Sequence, residues 1–474
     1  MTQAKEKHAS GHQTISMRKT LLFTVCSIVV LDSFISPAKL GVPAITVRLI
    51  AVVLFFIPYG LISAELGSTF PANGGIASWV ERAFGEFPCV LVGWMYWLNE
   101  VFWMPAVFIA FSDWIKIALF PGMPDWVMAS IAVGMCWLIV WVGIRGIELS
   151  VSISAMVAVI KTVLMLLLGA MGIVYGMKYG FANDFSGSWI PKWDDTIKYT
   201  AAIIYNLMGF ELISSVGDRI ENPQRTIPRI TLIAGLGITV LYVAGTFGIL
   251  AAIPAGSVDE VDGFVYALKE LCRVFGSFSG PVFYLLIFLA SMTLVVDIVT
   301  WNLGSNETFM SSELQKRSPW LAHRHEKNGT ADHLYFVMGV IATGLILLNY
   351  MFTGDANSIF WTMFSFSSLV FMLNYMFMFP AALKLRFSDP TPRVYKVPGG
   401  LPGMILCVSL CTAGTLLAVI FFVDWDIHSY AFWMEMIGTA ITVGSGWVLY
   451  RRGKKREMQS ESSPRSSLSG EGLN

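Results

Sequence analysis

Apolar runs of about 20 residues recur along almost the whole of this 474-residue chain, and a helix of that length crosses the hydrocarbon core of a bilayer. No other feature restricts the fold so tightly. In lipid every backbone N–H and C=O needs a partner inside the protein, which a helix supplies from its own residues. Twelve candidate spans follow: 19–45, 48–70, 88–118, 124–145, 151–177, 197–216, 230–253, 280–309, 334–351, 355–383, 401–423 and 429–450. Charged residues make up 14% of the chain, against roughly a quarter in soluble domains. The expected class is an all-α integral membrane protein with twelve transmembrane helices.

Lys and Arg concentrate in the two tails and in alternate loops, which places both termini in the cytoplasm. The polar first residues contain no early cleavage site, so the first apolar run is expected to stay as a helix. Residues 1–18 read as a cytoplasmic N-terminal tail and 19–450 as the transmembrane domain. Residues 451–474, rich in Ser, Gly and charge, read as a disordered cytoplasmic tail. Net charge is zero, so no global field points to nucleic acid. The six cysteines form no CxxC or Cys/His cluster, and the histidines fall in tails, loops or span edges. Neither a metal site within the membrane nor a cofactor is expected. With no metal cluster or nucleophile–base pair at a plausible depth, the chain does not read as an enzyme.

The first span is a poor lipid anchor. Its segment VVLDSFISPAKLGVPA carries Asp32, Pro37, Lys39, Gly41 and Pro43. Pro37 removes a backbone donor and disfavours helix at the residue before it. An interrupted helix cannot face lipid, so it is buried in protein or lines a wet cavity. A second break stands at the matching place later in the chain, in YNLMGFELISSVGDRIENPQRTIPRI, with Asn206, Gly209 and Glu211. Four spans lie between the two breaks, which makes spans one and six the first helices of two halves, about 19–177 and 197–383, with 401–450 as extra helices. Interrupted spans at corresponding positions point to a transporter's binding site. Orphan N–H groups at one broken end suit a carboxylate and orphan C=O groups at another suit an ammonium, so an amino acid or a related amine is expected.

The run GFELISSVGDRIENPQRTIPR resembles the sixth-span signature of the amino acid–polyamine–organocation permeases. The matching positions are Gly209, Phe210, Glu211, Asp218, Asn222, Pro223, Arg225, Ile227 and Pro228. AELGSTFPANGGIASWVERAFG is a second specific match, AVIKTV and PRVYKVPGG are weaker ones, and LDSFISPAKLG with LFFIPYGLISAELG is similar to the glutamate/GABA antiporter-like branch. The resemblance implies a LeuT-type fold of two inverted five-helix repeats, with helices one and six discontinuous. It also implies alternating access around a midplane site. Tyr205 then falls where the family places an aromatic that closes over the substrate, and Trp301 forms an eighth-span wall. Lys161 matches a fifth-span lysine that stands in for a coupling ion in members without sodium dependence. The first span departs from the family: Val30-Leu31-Asp32-Ser33-Phe34 replaces the usual Gly-Ser/Ala-Gly break, which puts the carboxylate cradle in doubt.

Ionisable residues at bilayer depth are functional candidates by default. Proton coupling is assigned to Lys161, Glu100 and Asp297, the last as a partner for Lys161 or Lys39; structural pairing is the competing account of each. Substrate binding is assigned to Asp32, Ser33, Phe34, Ser36, Tyr205, Asn206, Gly209, Phe210, Glu211 and Trp301. For Glu211 the alternatives are contact with a substrate amine or support of the helix break. Glu65 and Asp113, nearer span ends, read as solvated or paired. The expectation is an amino acid transporter of the inner or plasma membrane, a monomer or homodimer working by proton-linked symport or exchange. A polyamine or diamine transporter is the rival within that class, and a transport-inactive sensor the rival outside it.

Overall fold

The computed structural model describes residues 14–31, 35–71, 73–187, 189–258, 263–352, 356–423 and 425–462. Helices fill these segments, and among the described residues β-pairing is limited to two isolated bridges, Ile15 with Ile220 and Asn73 with Val216. In chain order the helices are α1 (Met17–Ile28), α2 (Pro43–Thr69), α3 (Ile76–Phe84), α4 (Glu86–Leu119), α5 (Asp125–Arg145), α6 (Ile147–Tyr179) and α7 (Trp193–Tyr205). There follow α8 (Pro223–Ala252), α9 (Gly263–Leu271), α10 (Ser279–Ser311), α11 (Asp332–Phe352), α12 (Ala356–Ser388), α13 (Gly400–Phe422) and α14 (Tyr430–Ser462). Nine helical segments among the described residues are long and apolar enough to cross a membrane. The exceptions among the twelve expected spans are the two broken ones and α14.

Three boundaries differ from those expected. The helix of the first span stops at Ile28, and Ser36–Leu40 form a five-residue 3₁₀ turn. The second begins at Pro43, inside the run 19–45 assigned to the first, because a proline at the first helical position gives up an N–H that has no helical partner anyway. At the other end α14 runs on to Ser462, so the tail expected to be disordered from 451 is helical for its first twelve residues. Charge pairs hold that extension: Lys454 contacts Glu86 at 2.8 Å and Lys316 contacts Glu457 at 3.2 Å.

Large apolar side chains such as Leu232, Leu236, Met156 and Val163 are exposed along α8 and α6, as lipid-facing helices require. Inward faces pack by close approach of small residues. Gly169 and Gly172 of α6 meet Ala244 and Gly248 of α8 so tightly that a Cβ on Gly248 would lie 2.4 Å from the Leu168 carbonyl oxygen. In lipid, where apolar burial gives no advantage between helices, such contacts drive association. The interior so formed brings the ends of α1 and α7 together.

Candidate functional site

A helix leaves its last four carbonyls without partners, and α1 ends in the middle of the bundle. Each of its exposed carbonyls is taken by a side chain from another helix. Lys161 of α6 donates to Cys26 O at 3.0 Å and also to Val29 O. Trp301 Nε1 of α10 donates to Ser27 O at 3.1 Å, and Tyr242 of α8 donates to Ile28 O at 2.6 Å. Tyr242 also reaches Asn206 O at 2.9 Å, so one hydroxyl joins the two breaks.

The second break is held from the other side. Gly209 has φ +128°, a conformation that excludes a side chain at low cost, and its Cα edge lies against Ile28 and Trp301. The Gly209 and Phe210 N–H groups donate to the Tyr59 hydroxyl at 2.9 and 2.8 Å. Tyr59 donates to Glu211, whose carboxylate also accepts from Tyr96 and Tyr375 at 2.7 Å each. Three tyrosine hydroxyls thus tie Glu211 to α2, α4 and α12 beside the break. Phe210 stacks on Phe56 with centroids 4.7 Å apart, away from the cavity. At the breaks, the carbonyls of Cys26, Ser27, Ile28 and Val29 and the N–H groups of Gly209 and Phe210 all have partners within the protein.

Between the breaks lies a narrow cavity. Trp103, Trp301, Tyr205 and Phe371 wall it, with Asn99 and Asn206 as polar side chains. Trp301 packs edge-on against Phe371 at 5.3 Å and against Trp103 at 6.2 Å. No ionisable carboxylate or ammonium lines it among the described residues. Aromatic faces attract a desolvated ammonium by about 2 kcal/mol or more. A larger apolar groove lies between α2, α7 and α13, but the hydroxyls of its Thr196 and Thr200 are bonded to their own helix.

Of the residues assigned from sequence, Tyr205, Asn206 and Trp301 line the cavity and Gly209 borders Trp301. Ser36 is buried at the start of the 3₁₀ turn and is not part of the wall. Asp32, Ser33 and Phe34 lie outside the described residues. Lys161 forms a fully buried ion pair with Asp297, which also accepts from Cys26 Sγ at 3.5 Å. Glu100 is buried beside this cluster. Glu65 is paired: Arg386 and Arg393 both reach it, and Val397 N–H donates to it at 2.7 Å. The reading of sequence missed Asn99, Trp103 and Phe371, along with the tyrosines 59, 96, 242 and 375. Asn99 and Trp103 stood one turn apart in an apolar span, a detectable signal; nothing local marks Tyr242.

Comparisons with known proteins agree with this architecture. A family described as "Amino acid permease" matches residues 15–445. A probable agmatine/putrescine antiporter of Lactococcus lactis is 30% identical over 414 residues, covering 85% of this chain and 88% of that protein. An aspartate/glutamate permease of Lactococcus lactis is 25% identical over 68% of this chain and 69% of its own. A probable polyamine transporter of Arabidopsis thaliana is 24% identical over 82% and 74%.

Proposed function

The chain belongs to the amino acid permease family, a multi-pass membrane protein of a transporter class, and from that premise we propose that it exchanges small cationic amines of the agmatine or putrescine kind by alternating access. The observation that carries this reading is the cavity wall. Four aromatic side chains and two amides surround it, without a basic group to receive a substrate carboxylate among the described residues. The departure at Val30–Phe34 from the family's carboxylate cradle, and the use of the Gly209 and Phe210 N–H groups by Tyr59, both weigh against a site for a substrate carboxylate. Similarity to an agmatine/putrescine antiporter over most of both chains supports the same class.

In this reading α1, α7 and the breaks after them rock against a scaffold of α4, α5, α10 and α11, as two inverted repeats within twelve spans. Both termini face the cytoplasm. Lys161 carries proton linkage: its ammonium holds α1 to α6 and α10 through Cys26 O, Val29 O and Asp297, and loss of its proton frees α1. The second reading, amino acid transport, is favoured by similarity to the aspartate/glutamate permease.

Proteoliposomes loaded with unlabelled putrescine separate these readings. Saturable uptake of labelled putrescine, competed by agmatine and not by glutamate or neutral amino acids, is expected. Competition only by molecules bearing a carboxylate overturns the amine assignment. No flux of any of them returns the chain to the sensor class.

A further inference from the structure

We propose that Glu100 is the carboxylate at which a proton and a cationic substrate exclude one another, an inference that rests on the cavity being an amine site. Among the described residues, four other acidic side chains deep in the bundle have a visible counterpart. Glu211 has three tyrosine hydroxyls, Asp297 has Lys161, Glu65 has two arginines, and Glu307 has Arg324 at 2.8 and 2.9 Å. Glu100 is 0% exposed, and neither of its carboxylate oxygens has a hydrogen-bond partner among the described residues.

The groups that face it do not compensate a negative charge. Asp297 faces it from α10, Tyr335 from α11 and Tyr96 from its own helix. On the neighbouring α5 and α12, charged side chains stand only toward the ends, at Asp125, Arg145, Lys384 and Arg386. The short helices α3 and α9 carry Glu81, Arg82, Lys269 and Glu270 beside the ends of α4. α14, which brings the buried Glu435, meets α4 through Trp94 and Leu91. Lys161, the cation in this cluster, is already held by Asp297 and two carbonyls. The ammonium is thus committed to Asp297, and a buried carboxylate without a counter-charge takes up a proton rather than bear its desolvation cost.

Position links that proton to the cavity. Asn99 and Trp103, the residue before Glu100 and the residue one turn after it, both line the wall. An ammonium against Trp103 and Trp301 therefore comes within a helical turn of Glu100, where low dielectric makes its attraction for an ionised carboxylate large. Amine entry ionises Glu100; the O–H bond breaks, the proton passes to solvent, and the amine supplies the replacing positive charge. Reprotonation reverses the balance and drives the amine out. Asn302, Asn306 and Tyr335 continue a polar seam along α10 and α11 toward Glu307 and Arg324 at the loop end.

The test is calorimetric titration of putrescine into the purified full chain in two buffers of different ionisation enthalpy. Wild type is expected to release close to one proton per putrescine bound, and E100Q close to none while still binding. Equal release by E100Q overturns the proposal, as does putrescine binding to wild type without release, or release abolished by D32N and retained by E100Q. Failure of wild type to bind putrescine overturns the amine reading itself, and the proposal with it. Where E100Q folds or binds too poorly to titrate, infrared difference spectra of wild type decide. Putrescine must remove a protonated-carboxyl carbonyl band, and E100D must shift that band; no band loss overturns the assignment.

Discussion

Lys161 occupies the position where two kinds of demand meet: an ammonium with no water to solvate it, and helix-end carbonyls with no helical donor. One Nζ answers both by bonding Cys26 O, Val29 O and Asp297. Removing it leaves Asp297 buried beside carbonyls of the same sign. K161A is therefore expected to lose about 3–5 kcal/mol of stability, read as a lowered unfolding temperature in detergent. The double variant K161A/D297N, which leaves no unpaired charge at this position, is expected to recover much of that loss yet to show a weaker pH dependence of uptake than wild type. If uptake in the double variant keeps the full pH dependence of wild type, Lys161 has no part in proton linkage.

At the scale of elements, the second break is a short unwound segment pinned through tyrosines, and the ends of its neighbours are pinned by charge. Arg82 of α3 pairs with Asp389 at the end of α12 and donates to Thr391 at 3.2 Å. That guanidinium holds the Asp389 carboxyl well below the usual carboxylate range. A carboxylate whose folded value is depressed stabilises above its unfolded value and loses that contribution as pH falls through the folded one. The contribution is thus full at neutral pH and fades only below about pH 4. Because Arg82 is half exposed, screening keeps the pair to less than about 1 kcal/mol. D389N is expected to lower the unfolding temperature slightly and by the same amount from about pH 8 to about pH 5. A difference that changes across that interval would show that another group governs this contact.

For the whole molecule, alternating access requires the end of the bundle near residue 15 to open. There the chain before α1 is stitched to the segment after the second break, with Ile15 N–H on Arg219 O at 2.7 Å and Glu221 N–H on Ile15 O at 3.0 Å. Opening at this end separates those strands. A disulfide between I15C and I220C is expected to abolish most uptake in proteoliposomes, and a reductant to restore it. The six native cysteines are all buried, which keeps the background of other cross-links low. Full cross-linking without loss of uptake would place the moving gate elsewhere.

The amino-acid sequence by itself determined the spans, the two breaks and the titratable residues held at bilayer depth. Each depends on properties of neighbouring residues: apolar run length, a proline without an N–H, a charge among aliphatics. The broken spans were legible in outline, yet their edges were not, because Pro37, Gly41 and Pro43 all interrupt helix and nothing local says which of them starts α2. What satisfies the breaks was decided only in three dimensions. Tyr242 is 214 residues from Ile28, and Tyr59 is 152 from Glu211. A hydrogen bond depends on where a donor arrives, and packing of distant helices sets that position. For this reason the three tyrosine hydroxyls on Glu211 were not legible beside it in the chain, although the residue itself stood out at the break. Glu100 is the converse case: its residue type was plain from the start, and that its carboxylate oxygens have no hydrogen-bond partner among the described residues became visible only once α10 and α11 had closed around it.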